Sequence, residues 1–292
     1  MQKPEIYDKY RKAGVILKEV REEAIGLVKK DARLLDVAEK IEDNIRKKGG
    51  QPAFPVNISL NEAAAHDCPA PDDVRTFRED MVKLDIGVHI DGYIADTAVT
   101  VDLSGNPDLR KASEAALAEA IKIVKAGVTT GELGTVIEQT IESYGFKPVY
   151  NLVGHGLERF VQHASPSIPN KNIGQGIKLE AGQVIAIEPF ATNGVGLVVE
   201  GPYTEIYGIM HKKPVRMPAE RELLKRIETF HGLPFARRWV ADIKRVDMTL
   251  NSLARLGIIH GYPILVEHDK GLVSQAEHTM IVTEDGCEVT TR

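Results

Sequence analysis

The chain reads as an α+β protein on three observations. Two stretches, 80–101 and 276–292, carry strand-like patterns broken at Asp-Gly, the dipeptide of tight antiparallel hairpins. Two others, within 4–47 and 108–145, carry apolar residues at helical spacing, each divided into a pair of helices. The helical stretches share related octets, EAIGLVKK at 23–30 and EAIKIVKA at 119–126, 96 residues apart. An internal duplication is therefore expected, with two similar halves and a site between them.

The 292 residues are 43% hydrophobic and 27% charged, which is ordinary for a globular protein with a substantial core. A net charge of −5 speaks against a dedicated polyanion binder, and aromatics at 5% speak against a stacking surface for single strands. No DNA partner is expected. Cys68 and Cys287 form no CxxC pair, so a zinc finger or redox motif has no support. MQKPEIYDKYRKAG lacks the apolar centre of a signal peptide. No apolar run approaches the ~20 residues that cross a membrane. A cytoplasmic protein is the expectation.

Ala13, Ile16, Val20, Ala24 and Leu27 predict a first helix within residues 4–30. Asp31 is placed to cap a second, with Leu34, Ala38, Ile41 and Ile45 on one face and Gly49-Gly50 as its stop. Residues 51–71, punctuated by four prolines, read as short extended pieces and loops. His66 lies there, and a lone histidine is more often structural than catalytic. A third helix is predicted at about 108–126 from Leu109, Ala112, Ala116, Ala120 and Ile123. Thr129-Thr130-Gly131-Glu132 reads as a capping box for a fourth, with Leu133, Ile137, Ile141 and Tyr144 inward and Gly145 ending it.

The hairpin between the helix pairs organises the chain. A turn at Asp91-Gly92 pairs Ile90 with Tyr93, Val88 with Ala95, Ile86 with Thr97 and Leu84 with Val99, a mostly apolar face. The other face sets Asp85 opposite Ala98 and Asp96 opposite Gly87. The aspartates are then diagonal neighbours, roughly 7–8 Å apart at the backbone, with small partners that leave space above them. Two carboxylates in one space need a proton or a cation between them. Two metal ions about 3.5–4 Å apart fit that span. On the hairpin alone, a solvated face with aligned aspartates fits as well.

In NLVGHGLERFVQHASPSIPN, glycines flank His155 and leave its imidazole uncrowded; His163 follows. Glu188 ends the apolar run Val184–Ile187, where a carboxylate enters an interior or a cleft and needs a partner. A core lysine or arginine would serve. Residues 207–257 read as three short helices with eleven Lys and Arg against five Asp and Glu, +6 in a chain of net −5. Such a segment fits nucleic-acid binding, although a solvated charged face is commoner. In the closing hairpin Glu277 opens the first strand, on one face with Thr279 and Ile281, and the turn falls at Asp285-Gly286.

Asp85, Asp96, His155, Glu188 and Glu277 form a hard, oxygen-rich set, better suited to ions such as Mn, Fe or Co than to a thiolate zinc site. Spacing alone does not bring them together. DMVKLDIGVHIDGYIAD, NLVGHGLERFVQHAS, VIAIEPFATNGVG and AEHTMIV resemble, in order, the successive signatures of type II methionine aminopeptidases. The likeness runs from PAFPVNISLNEAAAH to the last hairpin. The basic helical segment resembles the insertion that separates type II from type I enzymes. The chain lacks the long N-terminal extension of eukaryotic members and so resembles an archaeal form.

The resemblance implies a pita-bread (creatinase/aminopeptidase) fold of pseudo-twofold halves, with 1–292 as one catalytic domain and 207–257 inserted in it. It implies two divalent ions (Co, Mn, Fe or Zn), Asp85 on one, His155 and Glu188 on the other, and Asp96 and Glu277 bridging both. His66, His163 and Glu188 would be catalytic. The two histidines would also touch substrate, with Phe54 and Tyr262 lining the pocket for the methionine side chain. Where some type II members carry a pocket histidine after ECS, this chain reads TEIYG, which places Ile206 there. The implied activity is removal of the initiator methionine from nascent polypeptides, with a small second residue preferred. The implied enzyme is a cytoplasmic monomer whose basic segment faces the ribosome. A prolidase using the same metals and a silent nucleic-acid- or ribosome-binding relative are the competing readings.

Overall fold

In the computed structural model, which describes residues 4–292, apolar spacing decides where the helices lie. Helix α1 (Pro4–Ile25) buries Ala13, Leu17, Val20 and Ala24, and α2 (Leu34–Lys47) buries Leu34, Ala38, Ile41 and Ile45. Two expectations fail between them. The first helix stops at Ile25, and Asp31 is not a cap: its φ is 68°, and Arg33 holds the N-cap position without a side-chain bond. Tertiary backbone bonds fix this corner instead, from Asp31 N to Phe77 O (2.9 Å) and from Leu34 N to Arg75 O (3.1 Å).

Strands β1 (Gln51–Pro52), β2 (Asn57–Leu60) and β3 (Ala63–Ala65) are the short extended pieces. Strands β4 (Met81–Ile90) and β5 (Tyr93–Asp102) form the organising hairpin in the expected register, Asp85 opposite Ala98 and Asp96 opposite Gly87. Asp91 (φ 53°) and Gly92 (φ 90°) both take the left-handed backbone that a two-residue turn of this hand requires. Leu84, Ile86, Val88 and Ala95 pack against α1 and α2 in one core. Burying that face on helices turns the aspartate face away from them.

Helices α3 (Pro107–Ile123) and α4 (Thr130–Ser143) repeat the arrangement. The capping box forms in full, Glu132 N to Thr129 Oγ1 at 3.2 Å and Thr129 N to Glu132 Oε2 at 2.8 Å. Tyr144 was expected inward but is 42% exposed, because the helix has ended and the chain is already turning into Gly145 (φ 80°). Leu109, Ala116, Leu133 and Ile137 pack on a second set of strands.

Those strands are β6 (Lys147–Pro148), β7 (Val153–Glu158), β8 (Val161–Pro169), β9 (Val184–Ile187) and β10 (Phe190–Thr192). The long β11 (Val198–Ile209) leads into α5 (Pro218–Ile227), β12 (Phe235–Ala236) and α6 (Val246–Arg255), and β13 (Ile259–Glu267) returns beside it. Strands β14 (Val273–Gln275), β15 (His278–Val282) and β16 (Cys287–Val289) close the chain. One sheet runs β16-β15-β9-β7-β8 and another β12-β11-β13-β3.

Residues 207–257 contain two α-helices, not three. The stretch LPFARRWVADIKR becomes β12 and a single tight turn, Arg237–Val240, because Phe235 is drawn into register with Tyr207 of β11. Leu223, Ile227, Phe235, Val240, Leu250 and Leu253 make a separate small core there. The last turn is also wider than expected: Val282 pairs with Cys287, so it spans residues 283–286. Both cysteines are free. Among the described residues no helix is long and apolar enough to cross a membrane.

Candidate metal centre

The aspartate face of β4 and β5 looks into a cavity of about 260 Å³. His155 enters it from β7, Glu188 from the residue after β9 and Glu277 from the residue before β15. Sheet register explains their meeting: β9 lies between β7 and β15, with Ala186 opposite His155 and Ile187 opposite His278. Hydroxyls then fasten this sheet to β5. Thr97 Oγ1 donates to Glu277 O (2.7 Å), and Glu277 N donates to Ala98 O (3.0 Å). Thr279 Oγ1 accepts from Asp96 N and donates to Asp96 O, both at 2.8 Å. Thr100 Oγ1 does the same for Gln275.

The expected space above Gly87 is not open. The Phe54 ring lies where a Cβ would stand, so glycine here admits an aromatic wall to the cavity.

His155 Nδ1 lies 3.2 Å from Gly156 O, a group that only accepts, so Nδ1 carries the proton and Nε2 a lone pair. That lone pair points at Glu188 Oε1 (3.5 Å) and Asp96 Oδ2 (3.8 Å). Asp96, His155 and Glu277 each place a ligand atom within 4.8 Å of the others. Asp85 and Glu188 are linked through Gln275, whose Nε2 is 3.3 Å from Asp85 Oδ2 and 3.4 Å from Glu188 Oε2. Gln275 was missed in the sequence, although it stands two residues before Glu277, the spacing that keeps strand residues on one face.

These carboxylates are poorly satisfied. Asp85 Oδ1, Asp96 Oδ1 and both Glu277 oxygens are buried without a hydrogen-bond partner. Burial pushes the Asp85 carboxyl up to about 7. Burial, then the neighbouring carboxylates, raise Asp96, Glu188 and Glu277 well above the usual range. Burial, then His163, lowers His155 to about 3. Among the described residues no cationic side chain pairs with these carboxylates: Lys83, fully buried, donates instead to the carbonyls of Asn61 (2.7 Å) and Met81 (3.3 Å). Orphaned oxygens facing one lone-pair nitrogen are what a divalent cation satisfies. The residues fit such ions.

His66 and His163 line the same cavity. His66 Nδ1 is 3.2 Å from Pro263 O, and burial lowers its pKa to about 4, so the ring is neutral with Nε2 as an acceptor. The His163 ring, whose pKa burial lowers, stands edge-on to His155, centroids 4.6 Å apart. A small side pocket of about 30 Å³ opens between these two, lined by Phe54, Gln162, Ile206, Pro234 and Tyr262. Ile206 lies opposite Tyr262 in the β11–β13 ladder. Gln162 and Pro234 were not anticipated. Pro234 comes from the basic segment, which therefore closes one wall of the pocket.

Part of that segment's positive charge is already paired. Arg237 meets Glu205 (2.8 Å) and Asp247 (3.0 Å), and Arg226 meets Asp242 (3.0 Å). Arg238 is buried against Glu42, which also accepts from Trp239 Nε1 at 2.8 Å.

The sequence pattern of metallopeptidase family M24 matches residues 8–284. A methionine aminopeptidase of Archaeoglobus fulgidus is 50% identical over 290 residues, covering 99% of each chain. One from Methanocaldococcus jannaschii is 49% identical over 289 residues, covering 98% of each. Among solved structures, that of a thermophilic Arx1 superposes with a TM-score of 0.86 at 16% identity, over 99% of this chain and 91% of the other. At that identity the likeness speaks for the fold.

Proposed function

The chain belongs to metallopeptidase family M24, and we propose that it hydrolyses the peptide bond after an N-terminal methionine. The observation that carries this reading is the small pocket of Phe54, Ile206, Pro234 and Tyr262 beside the acidic centre. Relatives named methionine aminopeptidase match the chain end to end. We read the enzyme as type II and archaeal in form, with 1–292 as one catalytic domain and 207–257 as the insertion.

Two divalent ions (Co, Mn, Fe or Zn) would be held here, one by Asp85, the other by His155 and Glu188, with Asp96 and Glu277 shared. Bound there, such ions lower the pKa of a water and polarise the scissile carbonyl. Glu188 is the proton carrier: it lines the cavity, and its side chain is 13% exposed while Asp96 and Glu277 are buried. It takes a proton from the attacking water and passes it to the leaving amine. His163, open to the cavity, donates to the carbonyl oxygen as negative charge builds there. His66 has its Nδ1 proton engaged by Pro263 O, so its Nε2 accepts an N–H of the substrate backbone. The side pocket takes the methionine side chain, and the preference for a small second residue is steric.

The test is a peptide panel on protein stripped of metal and reloaded with Mn or Co. A Met-Ala-Ser peptide is cleaved after methionine only in the reloaded protein; an intact peptide alongside a cut Xaa-Pro dipeptide would overturn the assignment. We place the enzyme in the cytoplasm, as a monomer meeting nascent chains at the ribosome. Among the described residues of the segment, Lys244 and Arg245 are two of the exposed cations without a carboxylate partner, with Lys213, Arg216, Arg221, Lys225 and Arg255, whereas Arg237 and Arg238 are paired. Charge reversal at Lys244, Arg245 and Arg255 together should weaken salt-sensitive co-sedimentation with ribosomes; unchanged association would remove the segment's ribosome contact from this reading.

A further inference from the structure

A second cavity, of about 310 Å³, lies behind the metal centre, between α1 and α3 and over β5 and the chain entering β15. Glu277 lines both cavities. Ile25 and Ile121, equivalent positions of the two related octets, both line this one, so it follows the seam between the halves.

Arg21 stands at its inner end, half-buried, and among the described residues it has no carboxylate partner. Its Nη1 donates to Thr97 Oγ1 (3.0 Å) and Thr291 O (2.9 Å) and lies 3.3 Å from His278 Nδ1. Among the described residues its Nε and Nη2 meet no acceptor, and burial lowers its pKa. A guanidinium taken out of water is stabilised by a planar anion that accepts from two of its donors. Arg292 adds a second cation to the lining, while Glu114 at the rim is already paired with Arg110 (2.7 Å). One side of the wall is aliphatic, Ile25, Val99, Leu117 and Ile121, and Thr100, Glu277 and His278 also line the cavity.

We propose that this seam cavity is a second ligand site, for a small monocarboxylate with an apolar tail. The carboxylate lies on Arg21 and Arg292, and the tail lies along the aliphatic wall. Two sources share this chemistry, simple aliphatic acids and free apolar amino acids. Thr97 and His278, which Arg21 touches, directly follow Asp96 and Glu277, so the site abuts the metal centre and shares the Glu277 wall with it.

Isothermal titration of the metal-loaded protein with hexanoate and with norleucine tests this, with hexanol and hexylamine as controls. The readout is binding, so it stands apart from the aminopeptidase assay. Hexanoate is expected to bind saturably and the controls not at all. Arg21→Leu should weaken it by about tenfold or more, as for loss of a charge-assisted hydrogen bond. Ala118→Trp, at an exposed position on the rim, should do the same by filling the cavity while leaving Arg21 and the fold alone. Norleucine binding lost in the same two variants assigns the site to free amino acids; hexanoate binding alone assigns it to aliphatic acids. No saturable binding of either acid, equal binding of hexanol, or binding unchanged in both variants would overturn the proposal.

Discussion

Gln275 donates to Glu188 at the centre, but their parts in the chemistry differ. Gln275 reaches Asp85 and Glu188 at once and so sets the distance between two carboxylates that would otherwise repel. Gln275→Leu is expected to weaken Mn binding by roughly 10–100-fold, the usual cost of losing an outer partner of a metal ligand. Equilibrium dialysis reads this, and unaltered affinity would reduce Gln275 to packing. Glu188→Gln keeps the shape but cannot carry a proton. Turnover of a Met-Ala-Ser peptide should fall by about 10²–10⁴, with the thermal transition unmoved. Near-normal turnover would remove Glu188 from proton transfer.

At the level of elements, the halves are joined by threonine hydroxyls and one buried ion pair. Thr279 satisfies both backbone groups of Asp96. Thr279→Val leaves them buried without partners and should cost about 1–3 kcal/mol in urea unfolding, whereas Thr279→Ser should recover most of it. Equal stability of the two variants would show that the hydroxyl does not matter. Arg238 ties the 207–257 segment to α2 through Glu42. Arg238→Met strands a buried carboxylate and should destabilise by about 3–5 kcal/mol. Local patterns announced the capping box at Thr129, because its two bonds lie within four residues of chain. They did not announce Arg33 over Asp31, because the bonds that set that corner come from Arg75 and Phe77.

For the whole molecule, the acidic centre makes folding depend on pH and metal together. Buried carboxyls that titrate near 4 when unfolded are raised in the fold, Asp85 to about 7 and Asp96, Glu188 and Glu277 well above their usual range. A raised carboxyl favours the fold most below its unfolded pKa and loses that contribution as pH rises through its folded one. Above about pH 6.5, where the lowered His155 and His66 no longer oppose this, the chelated protein should melt at lower temperature at about pH 8 than at about pH 7, and excess Mn should remove most of that slope. Calorimetry of both forms decides it; a chelated protein whose melting temperature rises over that interval would contradict the charge balance described here.

Period and turn chemistry determined the helix pairs, the β4–β5 register and the common face of Asp85 and Asp96, because each depends on neighbours a few residues away. Those same rules named Glu188 and His155 as unusual without saying what they meet. Their meeting depends on β9 lying between β7 and β15, a pairing of segments far apart in sequence, and only the packed sheet decides it. The Phe54 ring over Gly87, the Gln275 link and the burial of Arg238 belong to the same class. Side-chain contacts across the seam obey geometry and desolvation in three dimensions, and no local pattern encodes them.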